Sequence, residues 1–293
     1  MIYTIKNSKV SASVGERGAE LVSLKIDGKE IMWQSPSESF WSKHAPLLFP
    51  FCGRLKDKKY SYRGKTYDMT AHGFISKELF KVRNFTASSI TLVSKANEKT
   101  LEIYPFSYEF VAEYVLTECG VSCKVTVKNA GEDVMPYMFG WHPGFTLPED
   151  GDAAIDDYKI EFGPETESIR WTPLQNLCFA RPYDEEFKTP GGSYVFNESE
   201  IYKNDTMIFS SVPKRTKLSS SKNTYSVTLD ASENTPYFCI WKEPKSEARF
   251  ICLEPWSSLP AGGDTDEQLE TRKMARLAPG AQECFTLDIN VTV

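Results

Sequence analysis

Tyr108-Glu109-Phe110-Val111-Ala112-Glu113-Tyr114-Val115-Leu116, followed after a turn at Glu118-Cys119-Gly120 by Val121-Ser122-Cys123-Lys124-Val125-Thr126-Val127, is the stretch whose pattern decides the fold. In the first run Tyr108, Phe110, Ala112 and Tyr114 fall on one face; in the second, Val121, Cys123, Val125 and Val127 do the same. A period of two is that of a strand with one face buried, and two such runs joined by a short turn form an antiparallel hairpin. Upstream, Phe80-Lys81-Val82-Arg83-Asn84-Phe85 and Ser89-Ile90-Thr91-Leu92-Val93 continue the pattern. Leu21 to Ile26 and Lys29 to Trp33 flank Asp27-Gly28, a pair that tolerates the positive φ of a type I′ turn. A second hairpin is expected over Lys59 to Met69 around Arg63-Gly64. Downstream, strands are expected at Thr206 to Phe209, Ser226 to Leu229, Tyr237 to Trp241, Phe250 to Glu254 and Cys284 to Ile289.

Helical signals are few. Ser35-Pro36-Ser37-Glu38 has the form of a capping box with Pro at the first helical position and predicts a short helical turn ending before Pro46. The segment 148–200 is rich in Asp, Glu, Pro and Gly and offers only short strand-like pieces such as Tyr158 to Phe162. Roughly twenty short strands with no long amphipathic helix imply an all-β chain, a large antiparallel sandwich. With no internal repeat and no linker, 1–293 is expected to form one domain.

The 293 residues carry a net charge of −6, which gives no basis for binding nucleic acid or an anionic membrane. No apolar run approaches the ~20 residues needed to span a bilayer. The start, Met1-Ile2-Tyr3-Thr4-Ile5-Lys6, has no signal-peptide apolar region, so a cytoplasmic location is expected. Seven cysteines without a CxxC pair, and three well-separated histidines, suggest reduced thiols, no metal and no cofactor.

Four places carry chemistry. Phe139-Gly140-Trp141-His142-Pro143-Gly144-Phe145 holds an imidazole between an indole and a proline. A histidine beside aromatics is commonly just a packed residue, but imidazole also exchanges protons near neutral pH. Thr70-Ala71-His72-Gly73-Phe74 holds a second. Arg54 follows Gly53 after the apolar run Pro46-Leu47-Leu48-Phe49-Pro50-Phe51-Cys52. Glu254 closes Phe250-Ile251-Cys252-Leu253 and leads into Pro255-Trp256, a setting that shields a carboxylate from water and makes it a better base. A base, one or two acids, a cationic anchor and aromatic faces suit a small, hydroxyl-rich ligand on which a proton is moved.

Taken in order, Gly18-Ala19-Glu20-Leu21, Pro46-Leu47-Leu48-Phe49-Pro50 with Gly53-Arg54, Ala71-His72-Gly73-Phe74, Gly140-Trp141-His142-Pro143-Gly144-Phe145, Asn204-Asp205, Cys252-Leu253-Glu254-Pro255-Trp256 and Leu277-Ala278-Pro279-Gly280 resemble the aldose 1-epimerase (galactose mutarotase) family, in particular its LacX-like branch. The resemblance runs nearly end to end. It implies a β-supersandwich with a sugar cleft on one face and no cofactor. It implies Glu254 as the base that takes the proton from the C1 hydroxyl and His142 as the acid that protonates the ring oxygen. His72 and Arg54 match sugar-binding positions, Asp205 matches an acidic residue accepting from sugar hydroxyls, and Trp141 or Trp256 an apolar wall. Gly53-Arg54 stands where galactose mutarotases carry Asn-Arg, which argues against galactose as the natural sugar. The implied partner is a small-molecule sugar, with the protein a monomer or homodimer. A hexose 6-phosphate 1-epimerase, which would need extra cations at the cleft rim that Lys56, Lys58 and Lys59 could supply, and a non-catalytic carbohydrate-binding protein are the alternatives.

Overall fold

In the hairpin Tyr108–Leu116 and Gly120–Asn129, Tyr114 lies opposite Cys123 and Phe110 opposite Val127, and the alternate residues are buried as their period requires. The computed structural model describes residues 1–293 apart from 39, 151, 177–178, 205, 244–247 and 263–266, and the side chains of 201–202. Among the described residues the hairpin sits within a nine-stranded antiparallel sheet, between Ser89–Lys95 on one side and Gln282–Thr292 on the other. The other large sheet runs, edge to edge, through Glu185–Lys188, Ser168–Thr172, Thr206–Ser210, Tyr237–Trp241, Phe250–Trp256, Gly140–Trp141 and Leu47–Leu48. An N-terminal sheet built on Ile2–Lys6, Val10–Gly15 and Leu21–Ile26 adds to the fold. The architecture is the all-β sandwich expected, and no helix among the described residues is long and apolar enough to cross a membrane.

Both expected turns form with positive φ, at Asp27-Gly28 and Arg63-Gly64. The strand after the first is shorter than its apolar pattern suggests and stops at Glu30. The Glu30 carboxylate accepts from the amides of Leu24, Ile31 and Met32, and Ile31 also donates to the Leu24 carbonyl, so the side chain shares the work of the ladder where the strand ends. Met32 then bridges Phe145, which carries the chain to the second large sheet.

The helical turn expected after Ser35 is absent over the described residues 35–38, of which 36–38 form bends and a turn. The Ser35 hydroxyl donates to the Ser37 carbonyl and so does not act as a helix cap. Helix appears instead at Glu98–Ile103, where Asn97 and Thr100 cap each other reciprocally, and at Glu198–Asn204. Four of the six described cysteines are buried.

The strand Phe250–Trp256 decides where the site lies. All seven of its residues are buried, so both of its faces are covered. Ile251 and Leu253 enter the main core, whereas Phe250 and Cys252 pack in a separate aromatic layer with Trp33, Trp41 and Trp241. Glu254 and Trp256 share the second face by the same alternation.

Candidate active site

Two segments pair along one side of Phe250–Trp256. Gly140 lies opposite Trp256 and Gly144 opposite Cys252, in one unbroken register. That register sets His142 across from Glu254, although Pro143 interrupts the ladder between them. Side chains directly opposed on antiparallel strands project from the same face about 5 Å apart at Cβ. The result is a buried contact, His142 Nε2 to Glu254 Oε1 at 3.3 Å. On the other side Cys239 lies opposite Glu254, and Ile208 opposite Cys239. Beyond His142, its own amide donates to the Pro46 carbonyl at 3.1 Å. Ile208, Cys239, Glu254, His142 and Pro46 thus form one rung of the sheet, and all five line the floor of a cleft of about 320 Å³.

Each member of the pair is held. The Trp256 indole N–H donates to Glu254 Oε2 at 3.1 Å, fixing the carboxylate plane. Trp41 stacks on the His142 ring (centroids 5.1 Å apart, planes 25° apart) and Trp241 meets it edge-on. Trp41 can approach because residue 144 is glycine: a Cβ there would lie 2.6 Å from the Trp41 ring, which Phe250 and Trp241 already confine. Gly144→Ala is therefore expected to destabilise the fold by about 1–3 kcal/mol through overpacking and to lower activity with it, as urea unfolding beside a rate assay would register. Burial and the neighbouring His72 hold the His142 imidazole well below its ordinary pKa.

His72 also lines the cleft, its ring edge-on to that of His142 with centroids 5.3 Å apart. It has φ 62° and is followed by Gly73, where a Cβ would collide with the Phe49 carbonyl oxygen. The His72 amide donates to the Gly53 carbonyl at 2.8 Å. In return the Gly53 amide donates to His72 Nδ1 at 3.1 Å. With Nδ1 accepting, the proton of the neutral ring sits on Nε2. Burial, reinforced by the Arg54 guanidinium, pushes His72 down to about 4, so the neutral form holds at neutral pH. This has a consequence for stability. Between pH ~6.5 and about 4 the unfolded chain binds a proton that the folded chain does not, so stability is full above that window and lost as pH falls through it. About 2 kcal/mol of the loss is expected from His72, allowing for its partial exposure. The loss should shrink in His72→Asn, measured as midpoint against pH.

Arg54 is exposed, lines the same cleft and makes no ion pair with any described residue. Trp256 also lines it. Trp141 does not: one residue from His142 on a strand, it points the other way, into the core, and packs edge-on against Phe139. Asp205 lies outside the described residues; its neighbour Thr206 lines the cleft. Lys56, Lys58 and Lys59 do not line the cleft, where the cations among the described residues are Arg54 and Lys43. One donor atom each from His142, Cys252 and Glu254 lies within 4.8 Å of the others. Burial raises the Cys252 thiol well above its ordinary value, so it is protonated in the protein as it stands.

Trp41, Trp241 and Lys43 were not among the residues singled out in the sequence. Trp241 lay in an expected strand, Tyr237 to Trp241, but nothing in the sequence set it on the cleft face. Trp41 and Lys43 carried no signal beyond an aromatic residue in a polar segment.

An opposed carboxylate and imidazole thus lie at the floor of an indole-walled cleft on one sheet of a large antiparallel sandwich. The sequence profile described as aldose 1-epimerase matches residues 1–270. The chain is 29% identical over 286 residues, 93% of each chain, to the chromosomal LacX protein of Lactococcus lactis subsp. lactis. It superposes on a galactose mutarotase related enzyme from Lactobacillus acidophilus with a TM-score of 0.92 and 31% identity, covering 100% of this chain and 98% of that one. A galactose mutarotase-like protein from Lactobacillus casei gives 0.91 and 30%, with both chains covered in full. The chain belongs to the aldose 1-epimerase family, and to the LacX-like part of it.

Proposed function

We propose that this protein is an aldose 1-epimerase that interconverts the anomers of a free hexose, with Glu254 as base and His142 as acid. The observation that carries this is the in-register His142–Glu254 contact at 3.3 Å in the floor of the cleft. The C1 hydroxyl oxygen and the ring oxygen of a pyranose are bonded to the same carbon. A base for one and an acid for the other must therefore stand side by side, as these two groups do. Glu254 removes the C1 hydroxyl proton while His142 protonates the ring oxygen, and the C1–ring oxygen bond breaks to give the open aldehyde. Rotation about C1–C2 presents the other face of the carbonyl, and closure with the two roles exchanged gives the other anomer.

His72 donates from Nε2 to a sugar oxygen, and Arg54 binds neighbouring hydroxyls at the cleft mouth. The indoles of Trp41, Trp241 and Trp256 cover the apolar face of the ring and exclude water. A matched acid and base supports catalysis over sugar binding alone, since a binding site needs partners for hydroxyls but not a pair able to exchange one proton.

The test is polarimetry or NMR of freshly dissolved α-D-glucose and α-D-galactose. The protein is expected to speed the approach to anomeric equilibrium above the spontaneous rate for at least one of them. Binding of these sugars with no acceleration would favour the binding-protein alternative.

A further inference from the structure

Gly18-Ala19-Glu20-Leu21 stands out in the sequence, yet none of it lines the cleft. Glu20 is a carboxylate only 6% exposed. Its Oε1 accepts from the backbone amides of His44 at 2.7 Å and Ala45 at 3.2 Å. Its Oε2 lies 3.8 Å from the ammonium of Lys43, which lines the cleft.

These amides belong to the edge of the site sheet. Leu48 lies opposite Gly140 and Leu47 opposite Trp141. The same register continues irregularly beyond the strand, with the His142 amide donating to the Pro46 carbonyl and the Gly144 amide to the His44 carbonyl at 2.7 Å. Lys43 to Pro46 is thus the outermost pairing partner of the segment that carries His142. A further strand would normally satisfy free amides at a sheet edge; here a single side chain from the residue just before Leu21–Ile26 does so. Trp41 leads into this segment, and its carbonyl accepts from the Trp33 indole.

We propose that Glu20 is a positioning residue for the acid–base pair. It clamps the backbone of His44 and Ala45, and through that edge it holds His142 across from Glu254, Trp41 over the imidazole and Lys43 at the cleft wall. The oxygen that accepts the two amides matters more than the charge. Without it two buried amides lose their partner, the edge slackens, and the 3.3 Å contact opens. Misplacement of a reacting group by about 1 Å can cost on the order of a hundredfold in rate.

The kinetic consequence rests on the acid–base roles given above, so the experiment has one arm that does not. Glu20→Gln keeps an oxygen at the same reach, whereas Glu20→Asp keeps the charge and withdraws it by one methylene. Both are compared with wild type by mutarotation kinetics and by the histidine C2–H resonances. The chain has three histidines, and His142→Asn identifies the one required. Glu20→Gln is expected to leave the His142 resonance and its titration near wild type and to keep kcat within a few-fold. Glu20→Asp is expected to move that resonance and to lower kcat by about ten- to a hundredfold with KM little changed. The opposite order, or a Glu20→Asp protein with an unmoved His142 signal, overturns the proposal. If wild type fails to catalyse mutarotation, the catalytic assignment falls, while the resonance order still decides whether Glu20 positions His142.

Discussion

Glu254→Gln is expected to lower kcat for mutarotation by about 10³-fold while leaving KM within a few-fold of wild type. The amide has the size of the carboxylate, and its oxygen can still accept from the Trp256 indole at the position now occupied by Oε2. What it cannot do is take a proton. The loss should therefore fall on the step in which the C1 hydroxyl is ionised, not on binding, which the proposed mechanism assigns to Arg54, His72 and the indole walls. Stability should not fall, because the substitution removes a charge from a site only 1% exposed and keeps its packing. Polarimetry gives kcat and KM, and urea unfolding checks the fold. A Glu254→Gln protein with wild-type turnover would remove Glu254 from the mechanism, and equal losses in kcat and folded fraction would make its role structural.

The residues of the pair were legible singly, and their partnership was not. Glu254 reads as a shielded carboxylate because an apolar run precedes it and Pro-Trp follows. His142 reads as a candidate because Trp and Pro frame it. Their contact depends on Gly140–Trp141 and Gly144–Thr146 both pairing with the same strand, a sheet order that local periodicity does not encode. The same limit explains Trp141. Its neighbour His142 faces the cleft, so strand alternation sends the indole into the core, but which residue of the two faces in follows only from the pairing. Asp27-Gly28 and Arg63-Gly64 were legible because a turn's φ values are set by the residues in it. Glu185–Lys188 was not, since an edge strand with mostly exposed residues has little apolar alternation to read. Glu20 stood out as part of a motif, but its work is done on amides from a distant segment, and nothing in its own neighbourhood announces that.

Replacing His142 should be nearly as costly, and the pH dependence should identify its role. His142→Asn is expected to lower kcat by about 10²–10⁴-fold, the range for loss of a positioned acid. The double variant Glu254→Gln/His142→Asn should be no slower than the worse single variant by more than a few-fold, because the two groups act on one event and their losses do not add. As an acid, His142 must carry a proton when the ring oxygen accepts one. Burial and His72 disfavour that proton in the free protein, so the protonated fraction falls as pH rises through a pKa below the usual ~6.5. The sign follows: kcat/KM should rise as pH is lowered from 8 toward 6, and the slope should vanish in His142→Asn. The stability loss expected from His72 on acidification runs the other way, so rates have to be measured over the range in which the protein stays folded. A kcat/KM that is flat over this range, or that climbs with pH, would take the acid role away from His142 and leave it the task of orienting Glu254 from across the strand.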